Sequence, residues 1–136
     1  MSNTTKKQNG SFPFLEWKVY QDSKVLFSEI VEITHAVAPK YKNSITDQII
    51  RSSLSVVNNI AEGNGRSATK DAPKELNHFL NIAQGSLYET LALLDVMKDI
   101  GLITPPEFAK LGGQIGEIGR QIGGFRKNLR KSSVSY

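Results

Sequence analysis

Apolar residues recur along this chain in helical steps, in four blocks separated by polar or Gly- and Pro-containing breaks, without the strict alternation of a half-buried strand. In the first block, about 14–38, Val19, Leu26, Ile30, Ile33 and Val37 form one stripe, and Trp17, Tyr20, Phe27 and Val31 form a second beside it. The two together are wider than one neighbour needs, which predicts a helix buried on two sides. Pro39 ends it, because the residue before a proline is pushed out of the helical region. The second block, about 45–62, places Ile49, Ile50, Leu54, Val56, Val57, Ile60 and Ala61 on one side. At a step of about 100° per residue, Gln48, Arg51, Ser52, Ser55, Asn58, Asn59 and Glu62 fill an opposing polar arc of roughly 120°. Ser44 with Asp47 resembles a capping box at its start, and Gly63 and Gly65 read as its stop.

The third block, about 72–100, opens at Asp71 and Pro73 and stops at Gly101. It carries one seam at Leu76, Phe79, Leu80, Ala83, Leu87, Leu91 and Leu94, and a second at Ile82, Ser86, Glu89, Leu93, Val96 and Ile100. The fourth block, about 105–130, begins at a Thr104–Glu107 capping box. It then follows a heptad seam through Phe108, Leu111, Ile115, Ile118, Ile122, Phe125 and Leu129. Gly112, Gly113, Gly116, Gly119, Gly123 and Gly124 interrupt it, each costing about 0.8 to 1 kcal/mol relative to alanine in an isolated helix. Close helix contacts at the i, i+4 glycine pairs are the expected compensation. The whole pattern predicts an all-α antiparallel up-down-up-down four-helix bundle over residues 12–131, between a disordered basic tail, 1–11, and a C-terminal tail, 132–136.

The polar arc of the second helix changes this picture, because four of its seven members are Ser or Asn, which compete with helical backbone hydrogen bonds. Two uses are open, hydrogen bonding to neighbouring helices or a ligand surface. The first predicts a structural polar network of Gln48, Ser55, Asn58, Asn59, Glu62, Ser86 and Glu89, with Arg51 and Glu89 paired. The surplus apolar stripes predict an interface between copies of the chain, Trp17, Tyr20, Phe27 and Val31 of one packing near Ile82, Leu93 and Ile100 of the next. Cyclic closure is the ordinary way to bury such a stripe repeatedly.

Length and composition fit one domain: 136 residues, a net charge of +4 and no cysteine, which excludes disulfides and thiolate metal sites. Both ends are basic. Lys6 and Lys7 precede the first helix, and Arg120, Arg126, Lys127, Arg130 and Lys131 follow the last acid, Glu117. Such a run either contacts a phosphate backbone or simply solvates a helix end that favours cations. Arg51, Arg66 and Lys70 join it as nucleic-acid-binding candidates. A phosphate loop at GNGRSATKD is rejected, since Arg-Ser replaces Lys-Ser/Thr and no strand precedes it. His35 and His78 have no metal-ligand spacing, and Glu62 and Glu89 lack a nucleophile or cofactor fingerprint. The expectation is therefore a non-enzyme without cofactor or metal, cytoplasmic, with no membrane partner, because no apolar run nears the roughly 20 residues of a spanning helix.

Gln48, Arg51, Ser55, Asn58 or Asn59, the run Ile60-Ala61-Glu62-Gly63 and Arg66, followed by Phe79-Leu80, Ala83, Gly85-Ser86 and Glu89, resemble the signature of the four-helix bundle proteins encoded in intervening sequences of large-subunit ribosomal RNA genes. The resemblance runs from about Phe14 to Leu129. It departs from the family pattern at Pro39–Asp47, PKYKNSITD, where an aromatic-Pro turn and an acidic residue are usual. The family is similar in fold to the accessory proteins of diversity-generating retroelements, pentameric barrels that bind a reverse transcriptase and nucleic acid. The resemblance implies a homo-oligomer, a pentamer by that likeness, with RNA or a reverse-transcriptase-type protein as partner. A structural or protein-interaction scaffold without a nucleic-acid role is the alternative.

Overall fold

In the computed structural model the described backbone covers residues 12–65 and 72–134, with side chains described as far as Leu129. A 3-10 turn, Pro13–Glu16, leads into α1, Lys18–Thr34; a 3-10 turn at Pro39–Tyr41 and a π-helical turn at Lys42–Thr46 lead into α2, Asp47–Gly65. Helices α3, Ala72–Asp99, and α4, Pro105–Val134, complete the fold, and no strand occurs among the described residues. Each helix packs on its neighbours in chain order and α4 returns to α1, so the predicted four-helix bundle is the observed architecture.

The core is built from one stripe of each helix read from the sequence, while Leu54, read onto the apolar side of the second helix, is exposed. Val19, Leu26 and Ile30 of α1, Ile49, Val56 and Ile60 of α2, Leu80, Ala83, Leu87 and Leu94 of α3, and Leu111, Ile115, Ile118 and Ile122 of α4 are all buried, with Met97 and Ile103 closing one end. Each fully buried Leu or Ile contributes about 1.5 to 3 kcal/mol of hydrophobic stabilisation. Hydroxyls share this interior: Ser23, Ser52, Ser53 and Thr90 are buried. They avoid the penalty of an unpaired polar group by bonding carbonyls of their own helices, Ser23 Oγ to Val19 O and Ser53 Oγ to Ile49 O at 2.7 Å, and Thr90 Oγ1 to Ser86 O at 2.8 Å.

Two helix ends follow the predicted chemistry. Gly101 takes φ of 79°, Leu102 N donates to Met97 O at 2.8 Å and Gly101 N to Lys98 O at 3.1 Å, a Schellman termination of α3. Thr104 N donates to Glu107 Oε1 at 2.8 Å and Glu107 N to Thr104 Oγ1 at 3.2 Å, the reciprocal capping box of α4. Two others differ. Ser44 caps nothing, because the π-helical turn carries the chain continuously into α2 and Asp47 pairs with Lys42 at 3.2 Å instead. Gly63 is no stop, since α2 runs through Gly65 and Gly63 is buried against α3.

The surplus stripes meet different fates. On α1, Trp17 lies with its ring 5.2 Å from that of Phe125 and Tyr20 is met edge-on by Phe14 at 5.0 Å, so both aromatics find partners within the chain, while Phe27 and Val31 stay half-buried. On α3, Ile82, Val96 and Ile100 remain 38%, 49% and 49% exposed. The glycine pairs of α4 also depart from expectation. None makes a tight approach: an added Cβ would be in ordinary contact at Gly119, 3.6 Å from Leu87 Cδ2, at Gly116, 3.7 Å from Arg120 Nη1, and at Gly112, 4.0 Å from Leu91 Cδ1, whereas Gly113, Gly123 and Gly124 would meet nothing within 4 Å.

Candidate nucleic-acid interface

The contact between α2 and α3 includes, beside its apolar residues, a ladder of small hydroxyls. Ser52 Oγ lies 2.8 Å from Thr90 Oγ1, and Ser55 Oγ 2.8 Å from Ser86 Oγ. Either hydroxyl can donate across the helices, since Thr90 Oγ1 also reaches Ser86 O at 2.8 Å and Ser52 Oγ also reaches Ile49 O at 3.3 Å. Asn59 Nδ2 donates to Ser55 O at 2.8 Å and to Ser55 Oγ at 3.0 Å, extending the ladder by one turn. Of the polar network read from the sequence, Ser55, Asn59 and Ser86 are therefore joined. Gln48, Asn58, Glu62 and Glu89 are exposed instead, and Ser52 and Thr90 take the interior places.

The expected Arg51–Glu89 pair is not formed: both side chains are exposed and no ion pair joins them. Ser52, Ser55, Ser86 and Thr90 supply the polar contacts across α2 and α3, and Arg51 and Glu89 stand at exposed positions. Both charges keep their hydration by pointing outward, which avoids the cost of burying them.

The cationic candidates divide between faces. Arg66 and Lys70, and the side chains of Arg130 and Lys131, lie outside the described residues. Arg51 stands on α2, while Arg120, Arg126 and Lys127 share α4. Arg120 is exposed and paired with Glu117 at 2.8 Å. Lys127 is exposed. Arg126 is half-buried and reaches back to α3, where its Nε donates to Asn77 Oδ1 at 3.0 Å and its Nη1 to Gln84 Oε1 at 2.8 Å. Both acceptors are neutral amides. Among the described residues no carboxylate compensates this charge.

Along the outer edge of α3 and α4 runs a groove of about 330 Å³ lined by Leu87, Tyr88, Leu91, Gly112, Ile115, Gly116, Gly119 and Arg120, and Arg126 meets α3 outside this lining, at Asn77 and Gln84. Tyr88, absent from both apolar seams, is 60% exposed there. Its position outside the two seams of an otherwise well-packed helix was the sequence signal that could have marked it.

The opposite seam, between α1 and α4, is acidic and paired. Asp22 accepts from Lys18 and from Gln121 Nε2 at 2.7 Å, and these two hydrogen bonds, Lys18's first, hold its carboxyl below the ordinary value. The hydrogen bond to Asp22 pushes Lys18 up, and Arg120 holds Glu117 down. No group of three or more metal-ligating side chains is gathered among the described residues, and no described helix is long and apolar enough to cross a membrane.

A family model described as 23S rRNA-intervening sequence protein matches residues 16–124. No curated protein matches the chain. Among solved structures, the chain is similar to a crystal structure of a protein of unknown function from the S23 ribosomal protein family of Bacteroides thetaiotaomicron. The TM-score is 0.71 at 23% identity, over 80% of this chain and 98% of that one. At that identity the likeness is one of fold.

Proposed function

The chain belongs to the 23S rRNA-intervening sequence protein family, and from that premise we propose that it is a non-catalytic, homo-oligomeric accessory protein that binds RNA. The observation that carries the reading is the α4 surface after Glu117. It presents Arg120, Arg126 and Lys127 on one continuous helix with no acid following Glu117 in the sequence. Arg126 is anchored by amides and leaves its charge available to a phosphate. The family's name refers to an intervening sequence of 23S rRNA and the structural neighbour's to a ribosomal protein family, which supports RNA over other polyanions.

Binding of the full chain to structured RNA across a salt series tests the reading. Log affinity falls with log salt in proportion to the number of phosphates neutralised. Truncation after Phe125 removes Arg126 and all later cations and flattens that slope. Equal slopes for both chains, or no binding by the full chain at low salt, would sink it.

Homo-oligomerisation is supported by the uncovered α3 stripe of Ile82, Val96 and Ile100 with half-buried Leu93. Because Trp17 and Tyr20 are engaged inside the chain, the partner surface on α1 reduces to Phe27 and Val31. A closed ring, a pentamer in this proposal, buries the stripe once per subunit. Sedimentation equilibrium gives the subunit number, and a monomeric mass at micromolar protein refutes the ring. The same stripe favours a second reading, a scaffold that works through protein contacts alone, which the RNA titration separates from the first.

A further inference from the structure

We propose that the groove between α3 and α4 is a track for single-stranded RNA, in which the Tyr88 ring stacks on a base and the Arg126 guanidinium takes the adjoining phosphate. The inference rests on the RNA reading above and assigns it a face and a class of ligand. Three features lie along this edge of α3 and α4, two in the groove and Arg126 one turn of α3 before Tyr88, at Gln84. The first is Tyr88, a flat ring left 60% exposed in mid-helix, where an aromatic that serves only the core would be turned inward. The second is Arg126, whose Nε–H and one Nη1–H are fixed by Asn77 and Gln84, so its plane is set before any ligand arrives while the Nη2 edge remains uncommitted. Its anchors are neutral, so an incoming phosphate displaces no carboxylate.

The third is the shape of the floor. An alanine methyl at Gly116 would have Arg120 Nη1, 3.7 Å away, as its nearest neighbour, and one at Gly112 only Leu91 Cδ1 at 4.0 Å. Packing within the chain therefore does not demand glycine at either place, yet their bare backbone keeps the cavity beside Tyr88 open at about 330 Å³. Gln84 and Tyr88 stand about 6 Å apart along α3, so Arg126, held at Gln84, meets α3 one helical turn from the stacking ring.

Charge discriminates against the alternatives. On a helical wheel Glu75 and Glu89 fall on the far side of α3 from Gln84, and Glu117 is held by Arg120 at 2.8 Å. Asp95, two turns beyond Tyr88, is paired with Lys98 at 3.2 Å. The track is thus cationic and amide-lined with an aromatic platform, the combination that holds an unpaired strand through backbone charge and base stacking. A duplex keeps its bases stacked on each other and offers Tyr88 no face. The groove also lies on the other flank of α3 from the Ile82, Val96 and Ile100 stripe, so subunit association leaves it open.

The experiment compares the full-length protein with Tyr88→Ala, Arg126→Gln, Arg126→Lys and Gly116→Leu, each checked by thermal melting, against a single-stranded oligouridylate and an RNA duplex of equal length. Wild type is expected to prefer the single strand. Tyr88→Ala should weaken that binding by roughly 5- to 100-fold, the usual worth of one base on an aromatic. Arg126→Gln should lower the salt slope by about 0.7, one phosphate for a single strand. Arg126→Lys should keep the slope while losing affinity, and Gly116→Leu should block binding with melting preserved. A 5-iodouridine probe should crosslink to Tyr88. Wild-type binding that these variants leave unchanged overturns the groove alone and leaves the RNA reading standing. Equal affinity for duplex, or displacement of the oligouridylate by polyglutamate at equal charge, also overturns it, the latter in favour of an acidic polypeptide. If wild type binds no RNA even at low salt, the RNA reading fails and the track with it.

Discussion

Replacing Gly63 by alanine tests the packing of α2 on α3 most directly. An added Cβ would sit 2.6 Å from Leu76 Cδ1 and 3.2 Å from Phe79 Cβ. Leu76 is itself only 7% exposed, so its methyl cannot swing into open space and must push the surrounding core. Such overpacking costs about 1 to 3 kcal/mol. Against it stands the helical preference of alanine over glycine, about 0.8 to 1 kcal/mol, which leaves a net loss of about 0 to 2 kcal/mol. Gly113 supplies the control, because an alanine there meets nothing within 4 Å and should stabilise by about 1 kcal/mol. The difference between the two variants isolates the steric term. Urea denaturation at one fixed protein concentration, to hold any oligomer constant, reads it as opposite shifts in midpoint with unchanged slope. If Gly63→Ala is as stable as Gly113→Ala, the close approach of α2 to α3 is wrong.

Three further outcomes are expected. In a double-mutant cycle on Ser52→Ala and Thr90→Val, each single change costs about 1 kcal/mol and the pair couples by about 0.5 kcal/mol or more; strict additivity of the melting data would remove the inter-helix hydrogen bond. Asp22 has a depressed folded-state pKa, so its contribution is complete above its ordinary value of 3.8 and is lost as pH falls through the lower folded value. The stability advantage of wild type over Asp22→Asn should therefore be constant near neutrality and shrink below about pH 4, and an advantage independent of pH would refute the assignment. Glu89→Gln, at an exposed and unpaired site, should change stability by less than about 0.5 kcal/mol; a loss of several times that in chemical denaturation would restore the Arg51 pair.

Helix number, order and the main inward seam of each helix were readable because they depend on periodicity, whereas Leu54, Ile82, Val96 and Ile100, which periodicity also marks as apolar-face positions, are exposed. The Thr104–Glu107 box and the Gly101 stop were readable because each rests on local backbone chemistry. Buried hydroxyls were harder to place. A serine that bonds its own i−4 carbonyl is nearly apolar in its demands, as Ser53 and Ser23 show, yet in a list of polar positions it counts as surface. Thr90 carries no sequence signal for that reason, and of the polar network read from the sequence the helices join Ser55, Asn59 and Ser86 but not Arg51 with Glu89. Gly63 illustrates a second ambiguity, since a glycine late in a helix reads equally as a stop or as room for a neighbour. The Asn77–Arg126–Gln84 cluster joins residues 49 and 42 positions apart, and no spacing rule connects them before the helices are packed.

The glycines of α4 bear on how the molecule comes apart. Six of them within residues 112–124 penalise an isolated helix by about 5 to 6 kcal/mol in sum. Helicity there is consequently imposed by docking on α1 and α3, through Leu111, Ile115, Ile118 and Ile122. The tightly seamed α2–α3 hairpin carries no comparable burden. Amide exchange in α4 should accordingly proceed through undocking of that helix as a unit, at a lower free energy than the amides of α2 and α3 require. On that expectation the segment that carries Arg120 and Arg126 loosens before the α2–α3 hairpin, so a ligand that bridges it to α3 would bind and brace the fold in one event.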